Sequence, residues 1–258
     1  MPSAKITIYA DNDYYSQTSS PTYEHLKSLP RFNSLNTPIT KANKTGLGSS
    51  AALITSITAA IIASYSDLDI TNDEAKRIIH NLAQTSHCAA QGKVGSGFDV
   101  AAAVYGSCVY RRFVPEILEN LWSDPDWTQN SERFDGSCRD LLRRTVNSIW
   151  VMEVTPFRLP SGLRVVMGDV AEGSATPGMV KSVLKWKASG SAAMQVWSAL
   201  GCSNRDLIQT FNQIKDASKS DIVDGVKRIS GGSEPSSEVQ KALSKISKIF
   251  HVWSSWFI

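Results

Sequence analysis

The chain has 258 residues, 42% of them hydrophobic and 20% charged, a balance that suits a folded protein of one large domain or two modest ones. Lys and Arg outnumber Asp and Glu by 27 to 24, and a net charge of +3 without any basic block argues against nucleic acid or an anionic membrane as partner. Four widely spaced cysteines (Cys88, Cys108, Cys138 and Cys202) form no Cys-x-x-Cys pair, which argues against a zinc site and for reduced thiols in a cytoplasmic protein.

The first residues, Met1-Pro-Ser-Ala-Lys5, lack the apolar core of a secretory signal, and no apolar run downstream reaches membrane-spanning length. Alternation in Lys5-Ile-Thr-Ile-Tyr9 predicts a strand. Residues 11–40 are polar and rich in Ser, Asn, Pro and Tyr, which predicts an irregular excursion with one short helix over residues 23–29. A glycine-rich turn follows and opens a buried helix ending at Tyr65. Thr71-Asn-Asp-Glu74 has capping-box spacing and starts a second helix that runs to about Gln91, with Gly92 just past its end. Residues 94–97 form a loop, residues 98–105 a helix stopped by Gly106, and residues 108–113 a strand. Residues 115–130 look like a loop with tryptophans, and residues 149–157 and 163–167 like strands flanking a turn at Pro160-Ser-Gly162. A turn over residues 173–177 leads into a helix over residues 178–187, and helical patterns continue to about Ile249. The seam at residues 160–162 divides a mixed region, 1–160, from a more helical one, 161–258.

Chemistry concentrates in three stretches. In Lys44-Thr45-Gly46-Leu47-Gly48-Ser49-Ser50-Ala51-Ala52, two glycines and two serines run into an apolar helix. The first turn of a helix carries unpartnered N–H groups and partial positive charge, and glycines let a phosphate approach the backbone. A plain turn with a serine N-cap is the simpler reading of the same residues. The spacing is neither that of a Walker loop nor of a dinucleotide fingerprint. The second stretch, Gly92-Lys93-Val94-Gly95-Ser96-Gly97-Phe98-Asp99, places an acid after small residues at a helix start. Alone it reads as an N-terminal helix carboxylate; beside a phosphate cradle it can orient or accept a proton during phosphoryl transfer. The third, Gly173-Ser174-Ala175-Thr176-Pro177-Gly178-Met179-Val180-Lys181, offers hydroxyls and a cation at another helix start, where capping is the simpler role. Arg111 and Arg112 add guanidinium groups that suit phosphate or carboxylate, and strand alternation turns only one of them toward a site.

Together these strings resemble the GHMP kinases, most closely the branch whose acceptor is 5-phosphomevalonate. The resemblance covers residues 1 to about 249 and implies an α+β fold: a domain like ribosomal protein S5 domain 2 followed by a ferredoxin-like domain. It implies ATP and Mg²⁺ as cofactors and transfer of a phosphoryl group to 5-phosphomevalonate, on the route to isoprenoids and sterols. By the same resemblance Lys44, Thr45, Gly46, Leu47, Gly48, Ser49, Ser50 and Ala51 hold the nucleotide, Ser50 contacts the metal, and Asp99 and Lys93 are catalytic. Ser96, Gly97, Arg111, Ser174, Thr176 and Lys181 are implied to meet the acceptor. Ala42 departs from the broad family, which has proline there. Where mevalonate kinase places a metal-holding glutamate, this chain has His87 and Cys88. The family's first and third motifs have no counterpart here, which leads to the expectation of a fragment, poorly soluble or nearly inactive alone. Rival readings are another GHMP enzyme (mevalonate kinase or diphosphomevalonate decarboxylase) and a non-catalytic nucleotide-binding remnant.

Overall fold

The computed structural model describes residues 5–16, 22–32, 34, 37–38, 41–125, 127, 136–166 and 176–255. A single 3-10 turn, Asn12–Tyr14, precedes the helices α1 (Tyr23–Ser28), α2 (Ser49–Tyr65), α3 (Asp73–Gln91) and α4 (Phe98–Tyr105). Strand β1 (Cys108–Arg111), helices α5 (Glu116–Ser123) and α6 (Gly136–Asn147) and strand β2 (Glu153–Pro156) follow, then helices α7 (Thr176–Lys187), α8 (Ser191–Gln213), α9 (Lys219–Ser230) and α10 (Glu238–Ser255). They fall into two compact units: the first holds every element through β2, and the second holds α7 to α10.

Local chemistry explains the first unit. Helix α3 starts one residue later than its capping-box spacing suggests: Asn72, not Thr71, is the N-cap, and its Oδ1 accepts the Ala75 N–H at 2.7 Å. Asp73 and Glu74 follow at the positive helix end. Gly92 ends the helix in the left-handed conformation, φ 64°, as the sequence suggests. The inward face of α3 carries Ala75, Ile79, Ala83 and Cys88, but also His80, Asn81, Gln84, Thr85 and His87, all buried. Part of that polarity serves the end of α6. Asn81 Nδ2 donates to the carbonyls of Val146 and Ser148, and Arg77 Nη1 to those of Asn147 and Ser148. The last carbonyls of a helix have no partner within it, so these side chains supply one.

Two apolar clusters hold the unit together. Cys88, Phe113, Leu118, Leu121 and Trp150 form one, with the rings of Phe113 and Trp150 4.7 Å apart. Ala51, Ala83 and Val100 form the other, each with no exposed surface. These residues come from α2, α3 and α4. Their small side chains let the three helices approach closely, since there is little bulk between the backbones.

Several expectations are corrected. Residues 5–9 are extended but form no strand, and Ile6, Ile8 and Tyr9 are exposed. A strand needs a neighbour to take its backbone hydrogen bonds, and among the described residues the only sheet is the antiparallel pair β1–β2. Its register sets Tyr110 opposite Val154 and Arg111 opposite Glu153. Residues 149–157 yield only the short β2, with Ile149 and Val151 exposed. Residues 163–166 are irregular, and Met167 lies outside the described residues. Residues 115–130 contain α5, whose Leu118 and Leu121 lie on one face and are buried. The spacing of three that marks this face is visible in the sequence, but the tryptophans obscure it.

The second unit is helical throughout its described residues. Ser218 caps α9, accepting the Asp221 N–H at 3.1 Å. Gly225 of α9 lies against α10 so closely that a Cβ there would come 2.7 Å from Leu243 Cδ1. Phe211, Ile214, Ile222, Leu243 and Ile246 are buried. The turn at Pro160 forms as expected, with the Leu163 N–H donating to the Pro160 carbonyl at 3.1 Å.

Candidate functional site

The glycine loop is pinned at its entry. Lys44 forms an antiparallel bridge with Tyr15, and the Ser16 N–H donates to the Asn43 carbonyl at 2.9 Å. The Thr45 N–H donates to the Tyr14 carbonyl at 3.2 Å, and its hydroxyl to the Asp13 carbonyl at 2.7 Å. Leu47 is exposed between Gly46 and Gly48, whose φ values of 74° and 77° only glycine adopts without strain. Gly48 is the N-cap of α2, so no side chain caps this helix start. The serine-cap reading therefore does not hold: Ser49 and Ser50 lie inside the first turn. Both hydroxyls and the positive helix end remain for another role.

Asp99 approaches the same place from α4. Lys93 closes α3 through its N–H, which donates to the Cys88 carbonyl at 3.2 Å, and its side chain is exposed. The loop beyond is strapped from the strand side. Tyr110 Oη donates to the Ser96 carbonyl and Arg112 Nη2 to the Gly95 carbonyl, both at 3.1 Å. Burial pushes the Tyr110 phenol up to about 12, so it stays a donor across the physiological range. Gly97, φ 81°, is the N-cap of α4; a Cβ there would lie 2.8 Å from Gln84 Oε1 and 3.0 Å from Tyr110 Oη. Asp99 follows in the first turn, where its Oδ1 accepts the Val100 N–H at 3.0 Å. A Cβ on Gly48 would stand 3.4 Å from Asp99 Cβ, so the cradle and the carboxylate meet directly. Ala51 and Val100, packed together in the small-residue cluster, hold the two helix starts at this distance.

Of the two arginines, Arg112 reaches the loop. Arg111, the expected acceptor ligand, pairs across the strands with Glu153 at 3.2 Å on an exposed surface. Ser174 lies outside the described residues, as does the side chain of Thr176, which opens α7; Lys181 is exposed on α7 in the second unit. Residues that sequence patterns alone did not place include Gln84 and Tyr110, brought to Gly97 by tertiary contacts, and His87. The His87 ring lies 3.2 Å from Ser50 Oγ through Nε2, and the same nitrogen lies 3.0 Å from Gln91 Nε2. A cavity of about 390 Å³ opens beside these groups, with Leu53, Ile54 and Ile57 on its apolar lining and Lys44, Ser49, Ser50 and His87 on its polar lining.

A glycine-lined helix start facing a carboxylate, next to an apolar cavity, defines a phosphate-handling site. Residues 26–107 match the GHMP kinases N terminal domain, and the chain belongs to the GHMP kinase family. It is 46% identical over 220 residues to the phosphomevalonate kinase ERG8 of Gibberella zeae, covering 82% of this chain and 47% of that protein. It is 34% identical over 246 residues to the phosphomevalonate kinase of Candida albicans, covering 93% of this chain and 54% of the relative. Similarity to the peroxisomal phosphomevalonate kinase of Arabidopsis thaliana is 35% over 241 residues, covering 83% and 46%. The chain thus spans about half the length of the curated relatives it matches. No solved structure matches it significantly.

Proposed function

We propose that the chain is the nucleotide-binding part of a phosphomevalonate kinase, which moves the γ-phosphoryl group of ATP onto the phosphate of 5-phosphomevalonate and releases ADP. The observation that carries this is the contact between Gly48 and Asp99, which sets a carboxylate at the mouth of a phosphate cradle. The relatives' names supply the acceptor. In this reading Gly46, Gly48 and the first N–H groups of α2 bind the triphosphate, and the apolar lining of the neighbouring cavity takes the nucleoside. Lys44 and Lys93 add positive charge. Asp99 holds the attacking phosphate oxygen and takes its proton if it carries one; a phosphomonoester has its second pKa at about 6, so positioning outweighs base strength.

Mg²⁺ fits the residues present. It prefers oxygen ligands and keeps several waters, and Ser50 Oγ is a hydroxyl oxygen at the cradle. No cluster of three His, Cys, Asp or Glu side chains suited to a metal occurs among the described residues, so phosphates and water complete such a site. When bound, the ion neutralises phosphate charge. Residues 1–160 form the ATP-binding domain in this proposal and residues 161–258 part of a ferredoxin-like second domain, with Ser174, Thr176 and Lys181 meeting the acceptor. The setting is the isoprenoid and sterol route, and the cytoplasm is the proposed compartment. No helix among the described residues is long and apolar enough to cross a membrane.

The test is a coupled ADP-release assay with 5-phosphomevalonate, mevalonate and 5-diphosphomevalonate, on this chain and on a full-length relative carrying the same motif. Release with 5-phosphomevalonate alone supports the proposal. Release only with another acceptor reassigns the enzyme, and nucleotide binding without release for any acceptor makes it a non-catalytic remnant. Asp99→Asn is expected to cut turnover by at least about 100-fold, the scale of general acid–base and positioning effects, with little change in ATP affinity. Unchanged turnover removes Asp99 from the mechanism.

A further inference from the structure

His87 lies on α3, far in sequence from the glycine loop, and is 6% exposed. It faces two groups through one nitrogen: Ser50 Oγ at 3.2 Å and the Gln91 side-chain amide nitrogen at 3.0 Å. An amide nitrogen only donates, so the His87 Nε2 opposite it accepts, and the ring's own hydrogen sits on Nδ1. The Ser50 hydroxyl, facing the same accepting nitrogen, must donate too. A hydroxyl has one hydrogen and two lone pairs. With its hydrogen committed to His87, Ser50 can offer its surroundings only lone pairs.

That decides what Ser50 is fit to bind. A hydroxyl meeting a phosphate oxygen donates its hydrogen; a hydroxyl meeting a cation uses a lone pair. We propose that His87 is a positioning residue that fixes the Ser50 hydroxyl as a cation ligand, so that Ser50 serves the Mg²⁺ accompanying the nucleotide rather than a phosphate oxygen. Gln91 holds the ring in the orientation that keeps Nε2 accepting. The inference rests on the nucleotide-binding reading above and deepens it, because it assigns the cradle hydroxyl to the metal. Partners that orient a metal ligand typically account for 10- to 100-fold in metal affinity.

The experiment measures binding of a non-hydrolysable imido analogue of ATP by calorimetry, with Mg²⁺ and with EDTA, so no turnover is needed. The expected result is a gain in analogue affinity from Mg²⁺ that falls about tenfold in His87→Ala and in Ser50→Ala, while the affinity in EDTA stays within about twofold. The double variant loses no more than either single one, because both remove the same bond. His87→Gln retains an accepting oxygen and restores most of the gain. A full Mg²⁺ effect in Ser50→Ala, a conservative change in a first helical turn, overturns the proposal even if His87→Ala fails to fold. Equal weakening with and without Mg²⁺ in His87→Ala, not rescued by glutamine, reduces His87 to a packing residue and also overturns it. If the unaltered chain and a full-length relative bind the analogue under neither condition, the nucleotide reading itself falls. Binding with no Mg²⁺ effect leaves that reading standing and removes this inference alone.

Discussion

Three glycines of the site form a graded test of how the loops are built. Gly95 has no left-handed φ, and a Cβ there meets nothing within 4 Å. Gly46 has φ 74° and open space. Gly97 has φ 81°, and its Cβ would come within 2.8 Å of Gln84 Oε1 and 3.0 Å of Tyr110 Oη. Alanine at position 95 therefore costs nothing in the folded state and removes freedom from the unfolded chain, a gain of up to about 1 kcal/mol. At position 46 the left-handed conformation costs roughly 1–2 kcal/mol, partly offset by the same gain, which leaves about 1 kcal/mol of destabilisation. At position 97 the same strain is joined by overpacking of about 1–3 kcal/mol, for a total of about 2–5 kcal/mol. Gln84 is buried and tied to Cys88 Sγ at 2.9 Å, and Tyr110 is tied to Ser96, so neither can swing aside freely. For a unit of this size each kcal/mol moves the midpoint by about 2–4 °C, so Gly97→Ala should lower it by on the order of 10 °C and Gly46→Ala by about 3 °C. Thermal melts followed by tryptophan fluorescence measure the series. If Gly97→Ala melts with Gly95→Ala, the close packing of Gly97 against Gln84 and Tyr110 is wrong, and so is the account of how the loop aims Asp99.

Stability should also fall toward both ends of the pH scale. Burial lowers the pKa of His80, so below about pH 6.5 the unfolded chain takes up a proton that the folded chain resists, and stability drops as pH falls. Urea midpoints between pH 7 and 5 check this; an acid limb of equal slope in His80→Gln would remove His80 as its cause. Burial raises Tyr105 and Tyr110 to about 12, so the unfolded chain loses these protons first and stability falls between about pH 10 and 12. A flat midpoint across that window contradicts their burial. The two neighbouring arginines should part company in hydrogen exchange. Arg112→Ala frees the Gly95 carbonyl and should speed exchange over residues 93–97, whereas Arg111→Ala breaks only an exposed ion pair, worth about 0–1 kcal/mol, and should leave that loop unchanged.

How much of this was legible in the sequence depends on the range over which each feature is decided. The stop of α3 at Gly92, the helix from Phe98 and the glycine turn before α2 follow from residues a few positions apart, and the sequence carries them. Strands were read less well, because alternation in Lys5-Ile-Thr-Ile-Tyr9 or Leu163-Arg-Val-Val-Met167 describes a segment able to pair but does not supply the partner. The site divides along the same line. Asp99 and the cradle could be named separately, yet their contact depends on Ala51, Ala83 and Val100, which sit 17 to 49 positions apart. The seven-residue spacing of His80 and His87 suggested one helix face, but not their different tasks. His80 is packed between the rings of Tyr105 and Trp150, with Nδ1 facing Asn81, whereas His87 turns toward Ser50.

The contrast between these histidines shows where stability and chemistry separate on one helix. His80 is shielded by aromatic rings, and its Nε2 has no partner, so its effect is felt through folding. One helical stretch further on, Cys88, Gln84 and the Gly97 loop pack tightly, and His87 is left with a polar neighbour from another helix. Gln84 and His87, three positions apart on adjacent parts of one face, thus fix the two halves of the site: Gln84 sets the loop that carries Asp99, and His87 touches the hydroxyl of the cradle. A rigid shift of α3 would move both together, so the alignment of Asp99 with the cradle is kept by a single helix rather than by two independent loops. Because Ala83 packs α3 against both α2 and α4, enlarging it to leucine should disturb that alignment from within: overpacking there costs about 1–3 kcal/mol and should lower nucleotide affinity and turnover together, although Ala83 lies in the buried helix contact rather than at the cradle. Turnover and affinity unchanged in a folded Ala83→Leu variant would show that the two loops are held independently after all.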